Sequence, residues 1–367
     1  MTLNEYQKKA YATAKIDWEN PYGRNVPIFG VIGELGSVFT ELKKTLRDGP
    51  AYTEGLGNTA EEFGDVLWYL AAIASRIGLS LEELAGKPTK IGRPLRSYTH
   101  LYDLVGAFAA LVQILSRTGF EPRGNNRALL INSLRIAVRT TLVALKHEKL
   151  DLNKLLNYNI RKVRGMFGPD KVRPALCFDG NYPDYEQLPR KMSVQFLERI
   201  RGKDRVEVVL RVNELNIGDR LTDNATKDDG YRFHDAFHFA YAATLGWSPV
   251  IRATFRCKRK KDPKVDEVQD GARAAIIEEA VSQTVFDYAR DHSMLEGLDR
   301  IDHGILRVVQ RMVRGLEVER CGLWEWQHAI LVGFKAFREL RANKGGWLKL
   351  DAETRSLTFS RDGSTLE

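Results

Sequence analysis

Apolar residues recur every three or four positions through most of the first 170 residues of the chain. This spacing collects them on one side of a helix, so it predicts a series of amphipathic helices around a shared core. Helix pairs of this kind assemble into a bundle. The predicted helices span residues 3–15, 27–49, 59–78, 98–118, 126–147 and 151–167.

The pattern changes at residues 167–189, which are rich in proline, glycine and aspartate. We therefore expect two domains, at 1–170 and 171–367. The second is predicted to be mostly helical with a few strands, so the fold class is mainly α. A strand is predicted at 204–215, a charged loop at 256–271 and a terminal hairpin at 347–360, and the helices lie at 232–246, 272–292, 295–315 and 323–343.

Composition adds an expectation about partners. The 367 residues carry a net charge of +8 with a pI near 9.2, which favours anionic partners such as phosphates and nucleotides. The basic run at 257–264 has no aromatic residue within it, so nucleic acid is not expected as a partner.

Three features bear on the compartment. The three cysteines lie far apart and match neither a zinc nor a redox spacing, and the first residues contain no apolar signal segment. The longest apolar run, residues 104–115, is too short to cross a bilayer and predicts a buried helix. We expect a cytoplasmic protein that does not bind a membrane.

Candidate chemistry lies in the second and third predicted helices. Glu34 and Glu41 share one helical face, and Ser37 occupies the turn between them. Glu62 and Asp65 share a face of the next helix. Oxygen ligands that converge between the two helices would suit Mg²⁺ or Mn²⁺.

Two interpretations of these acids stay open. Acids at this spacing commonly face water, but these lie among apolar residues, and Gly36 and Gly64 beside them would allow the helices to approach closely. Lys43 and Lys44 follow within a few residues of Glu41 and could hold phosphate oxygens.

Four stretches in this half resemble the MazG-type nucleoside triphosphate pyrophosphohydrolases, which belong to an all-α superfamily that includes dimeric dUTPases. They are LNEYQKKAYATA, GELGSVFTELKK, AEEFGDVLWYLAAIASRIGLSLEEL and NIRKVRGMFG. The resemblance covers residues 3–85 and resumes near 150–168, which implies an insertion at about 86–148. It implies an all-α helix bundle that hydrolyses a nucleoside triphosphate to the monophosphate and pyrophosphate with Mg²⁺.

The family pattern of E-x-x-E followed by E-x-x-D assigns metal binding to Glu34, Glu62 and Asp65. Its second glutamate is Ser37 in this chain, and Glu41 or water is left to supply the missing oxygen. This departure puts the catalytic rate in doubt more than nucleotide binding.

The family's late N-x-x-K element matches Asn159 and Lys162 and implies a phosphate clamp, with Arg164 beside it. The usual later arginine is Met166 in this chain. Trp68 is expected either near the base of the nucleotide or in the core.

The second half resembles the C-terminal domain that accompanies some bacterial MazG-like proteins. Its stretch RFHDAFHFAYAATLG is similar to EFGDVLWYLAAIASRIG of the first half, with an aspartate at the place of Asp65. A second acidic-helix site is one interpretation, and satisfied buried polar groups are the other. The residues concerned are His234, Asp235, His238, Glu278 and Glu279.

Two functions are carried forward. The first is a Mg²⁺-dependent nucleotide pyrophosphohydrolase, and the second is a catalytically weakened protein that binds or senses a nucleotide or acts as a scaffold. Because the relatives tend to form dimers or tetramers, we also expect a homo-oligomer.

Overall fold

The computed structural model describes residues 1–86, 98–168, 173–202 and 205–363. It contains two compact units, Met1–Arg164 and Gly165–Glu367, which divide close to the predicted boundary. Residues 87–97, which belong to the expected insertion at about 86–148, lie outside the described residues, as does part of the proline-rich segment at 167–189.

Unit 1 is a bundle of helices. They are α1 (Leu3–Thr13), α2 (Val26–Asp48), α3 (Gly55–Arg76), α4 (Leu81–Ala85), α5 (Thr99–Thr118), α6 (Gly124–His147) and α7 (Leu152–Arg164). Helix α1 begins with a capping box in which Thr2 and Glu5 each accept a hydrogen bond from the other's backbone N–H. The helices predicted for this half are confirmed.

Helix α3 is the centre of unit 1. Its side chains Phe63, Val66, Leu67 and Leu70 are fully buried, and it packs against α1, α2, α6 and α7. Removing this apolar area from water is the main force that fixes the helix. Any polar residue of α3 is therefore held in a rigid frame.

Helices α5 and α6 each bury one face and expose the other. In α5, Leu104 and Phe108 are buried while Val105 is 45% exposed, so the buried helix expected over 104–115 is buried on one face only. Both helices are long and apolar enough to cross a membrane by length and composition, with 39% of each apolar window buried. The core helices of soluble proteins meet the same criterion, so this is weak support for a membrane span.

Unit 2 combines helices with one antiparallel sheet whose strand order is β3-β2-β1-β4-β5. The strands are β1 (Lys191–Arg201), β2 (Arg205–Val212), β3 (Leu215–Leu221), β4 (Gly345–Asp351) and β5 (Ser356–Ser360). The helices are α8 (Asp235–Leu245), α9 (Pro249–Thr254), α10 (Pro263–Val268), α11 (Ala272–Arg290), α12 (His303–Met312) and α13 (Leu323–Asn343).

The terminal hairpin is confirmed as β4 and β5, but several elements differ from expectation. The helix predicted at 295–315 is shorter and forms only α12, and α9 was not predicted. Strand β1 was not predicted, and the predicted strand at 204–215 is part of a hairpin. Its turn falls at Asn213 and Glu214, where φ is +47° and +64°, the backbone of a tight hairpin turn. The predicted charged loop at 256–271 contains helix α10.

Helix α8 is the centre of unit 2, since every residue from Asp235 to Leu245 is buried. It packs against α13, β4 and β5. A Cβ atom at Gly333 of α13 would lie 3.1 Å from the Cβ of Ala240 and 3.3 Å from the ring of Phe237. Glycine is therefore what allows α13 to approach α8 so closely.

A buried network of ion pairs joins the loops and helices of unit 2. Arg252 donates to Asp179 at 2.6 Å, and Arg259 donates to Asp270 at 2.6 Å and to Glu317 at 2.7 Å. Both arginines are only 1% exposed. Arg259 belongs to the basic run at 257–264, so that run is not a uniformly solvated loop.

We expect Asp270→Asn to lower the free energy of unfolding by about 3–5 kcal/mol, because it weakens a buried ion pair without removing the buried arginine charge. The measurement is urea denaturation of the full chain. Asp287→Asn, which weakens an exposed ion pair with Arg290, is the matched control and should change it by at most about 1 kcal/mol. Equal effects of the two variants would contradict this account.

Candidate metal centre

The structure brings three of the predicted acids together. Glu34 on α2 and Glu62 and Asp65 on α3 each place one carboxylate oxygen within 4.8 Å of the others. All three side chains are partly buried. The two helices pack side by side, so the group is held by the core of unit 1.

The electrostatics of the group favour an added cation. Burial and the nearby charges of Asp65 and Glu62 raise the pKa of Glu34 to about 8. Burial also raises the pKa of Asp65, even though the Lys162 ammonium opposes this. Carboxylates this close and this buried cannot all be ionised at once unless a cation lies between them. Without a cation, one of them keeps its proton.

Helix α7 contributes the only basic and amide side chains that contact Asp65 within the described residues. Asn159 Nδ2 donates to Asp65 Oδ1 at 2.8 Å, and Lys162 forms an ion pair with Asp65 and another with Glu61 at 3.0 Å. Tyr6 donates to Asn159 Oδ1 at 2.8 Å and so orients the amide. Asn159 and Lys162, which the resemblance matches to a phosphate clamp, therefore lie at the acid group.

Glu41 does not join this group. Its carboxylate forms an ion pair with Lys44 at 2.6 Å and accepts a hydrogen bond from Tyr52. It lies one turn beyond Ser37 in a polar cluster of its own, so it does not supply the oxygen that Ser37 lacks. Hydrogen bonds from Lys44 and Tyr52 outweigh burial and lower the pKa of Glu41.

The other predicted substrate residues divide into two classes. Lys43 and Arg164 are exposed. Lys44 is partly buried. Its hydrogen bond to Glu41 raises the pKa of Lys44, although burial opposes this, and the charges of Glu41, Tyr52 and Glu62 add to the rise. Trp68 donates to Thr13 at 3.0 Å and packs against the core of unit 1, which matches the core alternative for this residue.

Helix spacing at the acid group depends on one of the two expected glycines. A Cβ atom at Gly64 would lie 3.1 Å from the Cβ and the amide nitrogen of Asn159, whereas one at Gly36 would meet nothing within 4 Å. Gly64 thus permits α3 and α7 to approach each other. The expectation that Gly36 serves close helix packing is wrong.

Sequence reasoning missed the role of Glu61. This residue is 5% exposed and binds Lys162, with Tyr158 donating to its second oxygen at 3.4 Å. Glu61 lies four positions before Asp65, so the two share a helical face. That spacing was a usable signal for a second acid facing α7.

A second group of potential ligands lies in unit 2. His234, Asp235 and His238 each place one ligand atom within 4.8 Å of the others, and all three are buried. Glu279 approaches from α11, with Oε2 3.8 Å from His234 Nε2. Glu278 lies on the opposite side of His238 and accepts a hydrogen bond from its Nδ1 at 2.8 Å.

The protein has a mainly α architecture of two units, with an acid group in one unit and a histidine–acid group in the other. The family model of the MazG C-terminal domain matches residues 173–363, which is most of unit 2 and more than half of the chain. The chain therefore belongs to the MazG C-terminal domain family and is MazG-like. This family is nucleotide pyrophosphatase-like.

One relative of known sequence matches part of the chain. The chain is 33% identical over 87 residues to the Gene 37 protein of Mycobacterium phage L5, a match that covers 22% of this chain and 76% of the phage protein. At this identity and coverage the two belong to one family. Comparison with solved structures gave no match.

We expect the metal-free protein to lose stability as the pH rises from about 4.5 to about 8. In this range the folded state holds a proton on Glu34 that the unfolded state has released, so folding is favoured at the lower pH. The measurement is calorimetric unfolding in a chelator across this range. The contribution of Glu34 is the difference in slope between the wild type and Glu34→Gln.

Glu82→Gln, at an exposed carboxylate of α4, is the matched control and should keep the slope of the wild type. If Glu34→Gln also keeps that slope, the proton on Glu34 does not contribute to the stability of unit 1.

Proposed function

We propose that the protein is a Mg²⁺-dependent nucleoside triphosphate pyrophosphohydrolase, which converts an NTP or dNTP to the nucleoside monophosphate and pyrophosphate. The observation that carries this proposal is the convergence of Glu34, Glu62 and Asp65, with one oxygen of each within 4.8 Å of the others. Membership of a nucleotide pyrophosphatase-like family supports it.

The donor set fits Mg²⁺ or Mn²⁺. All three donors are hard carboxylate oxygens, which these ions prefer over nitrogen and sulfur. The raised pKa of Glu34 indicates a position where added positive charge is favourable. When bound, the ion would neutralise phosphate charge and lower the pKa of water.

Three residues of this chain complete the site on the substrate side. Lys162 and Asn159 line the edge of the acid group formed by α7, and Lys44 lies near enough for the charge of Glu62 to raise its pKa. We assign them to phosphate oxygens, because ammonium and amide groups donate to phosphate directly. Lys43 and Arg164 are exposed. They would contact either a longer polyphosphate chain or no part of the substrate.

A homo-oligomer, either a dimer or a tetramer, is part of the proposal. Helix α2 exposes Val26, Phe29 and Ile32 on one side, at 48%, 69% and 46% of their surface. A row of exposed apolar residues beside a functional site is typical of an interface. We propose the cytoplasm as the compartment, with neither nucleic acid nor a membrane as a partner.

We expect the wild type to release pyrophosphate from at least one member of a panel of NTPs and dNTPs in Mg²⁺, and Asp65→Asn to reduce that rate by at least about 100-fold. Loss of a residue that only supports a metal ligand typically lowers activity by about 10–100-fold. Because Asp65 is itself a proposed ligand, we expect its loss to cost more. The measurement is a coupled pyrophosphate assay.

Asp48→Asn, at an exposed carboxylate at the end of α2, is the matched control and should keep the wild-type rate. A folded wild type that releases no pyrophosphate from any member of the panel would overturn the enzymatic proposal.

The second candidate is a nucleotide-binding or sensing protein, or a scaffold, on a catalytically weakened site. The observation that favours it is Ser37, which lies on α2 one turn after Glu34 where the resemblance expects a glutamate. Since Glu41 binds Lys44 and Tyr52 instead, no described carboxylate of α2 other than Glu34 joins the group.

Ser37→Glu separates the two candidates. For a weakened enzyme we expect a gain of about tenfold in pyrophosphate release, equivalent to about 1.4 kcal/mol of transition-state stabilisation. Thr40→Glu adds the same charge at an exposed position of α2 and should give no gain. If Ser37→Glu gives no gain, while calorimetry shows binding of a non-hydrolysable nucleotide, the sensor is favoured.

A further inference from the structure

The group in unit 2 has a ligand atom that is buried and unsatisfied. His238 is fully buried, and its Nε2 makes no hydrogen bond to any described residue. Glu279 Oε1 lies 3.3 Å from this atom, at ion-pair distance. A buried polar atom without a hydrogen bond is costly, so the position calls for a positive charge shared with Glu279, either a proton or a metal ion.

The hydrogen bonds of the two histidines determine which nitrogens face the group. His234 Nδ1 lies 2.8 Å from the carbonyl oxygen of Tyr231, and His238 Nδ1 lies 2.8 Å from Glu278 Oε1. Both partners are acceptors, so each Nδ1 carries the hydrogen. In the neutral form of each ring, Nε2 then carries the lone pair that a metal ion could accept.

Both Nε2 atoms lie close to carboxylate oxygens, which are also acceptors. His234 Nε2 lies 3.2 Å from Asp235 Oδ1 and 3.8 Å from Glu279 Oε2. Two imidazole lone pairs and two carboxylates in one place repel each other unless a positive charge lies among them. Such a set of convergent acceptors matches a cation site.

The surroundings hold the ligands in position. Glu278 is fully buried, accepts from Ser248 at 2.6 Å and from the Val250 amide at 2.9 Å, and fixes the ring of His238. Tyr231 stacks on His234 at 4.4 Å between ring centroids. A carboxylate that binds the outer nitrogen of a histidine is the usual support of a metal ligand.

We propose that unit 2 binds a divalent first-row transition-metal ion through His234, Asp235 and His238, with Glu279 as a fourth ligand from α11. Two imidazole nitrogens select this class over Mg²⁺, which prefers oxygen alone. Asp235 and His238 belong to α8 and Glu279 to α11, so the ion links the start of the central helix to its neighbour. Glu279, which is 46% exposed, forms the solvent side of the site.

The test uses the full chain, stripped of metal by chelation and titrated with Zn²⁺ and, separately, with Co²⁺. We expect the wild type to bind one more equivalent of Zn²⁺ than Asp235→Asn/Glu279→Gln, as counted by elemental analysis. The acid group of unit 1 contributes equally to both proteins, so the difference belongs to unit 2. Bound Co²⁺ should show visible absorption bands that the double variant lacks.

Glu278→Gln tests the positioning residue and should weaken Zn²⁺ binding by about 10–100-fold. His292→Ala is the matched control, because His292 also directs Nδ1 at a tyrosine carbonyl and stacks on that ring, yet belongs to neither ligand group among the described residues. It should keep wild-type affinity.

Glu279→Gln alone keeps the test decisive should the double variant fail to fold, since this side chain is half-exposed and its replacement has the same shape. Weaker Zn²⁺ binding by this variant supports the proposal. Equal Zn²⁺ content in the wild type and all folded variants, with no Co²⁺ bands, would overturn it and leave protons as the charges that neutralise the group. Pyrophosphate release plays no part in these readouts.

Discussion

Buried negative charge must be matched by positive charge, and this constraint organises both units. In unit 2, Arg252 and Arg259 are almost wholly buried and neutralise the acids that join its loops to its helices. In unit 1, Lys162 of α7 forms ion pairs with Asp65 and Glu61. Burial, and after it the charges of Asp65 and Glu62, raise the pKa of Glu34 despite this lysine.

Each group of ligands is positioned by the most buried helix of its unit. The apolar residues of α3 fix Glu62 and Asp65, and the wholly buried α8 fixes Asp235 and His238. A helix held by its core has little freedom to relax away from repelling charges. Packing energy therefore holds each set of side chains close together, as both proposed cation sites would require.

The sequence was sufficient for features whose signal is local. The helices of unit 1 follow from apolar spacing, and the approach of Glu62 and Asp65 follows from their three-residue separation within α3. The burial of Arg259 was not predictable, because its partners Asp270 and Glu317 lie elsewhere in the chain. Strand β1 was missed for the same reason, since its partners β2 and β4 decide its pairing.

Ser37 has two opposite effects on the acid group of unit 1. A glutamate there would add a negative charge beside Glu34, whose pKa is already raised to about 8, and would make the metal-free bundle less stable. The same charge would strengthen binding of a divalent ion. Serine at this position therefore favours the stability of unit 1 and would lower its affinity for a cation. Lys162 reduces the repulsion among the carboxylates without removing an oxygen ligand. The group keeps three acids and one lysine, so under the proposed function its occupancy would depend on the charge that a polyphosphate–metal complex brings with it.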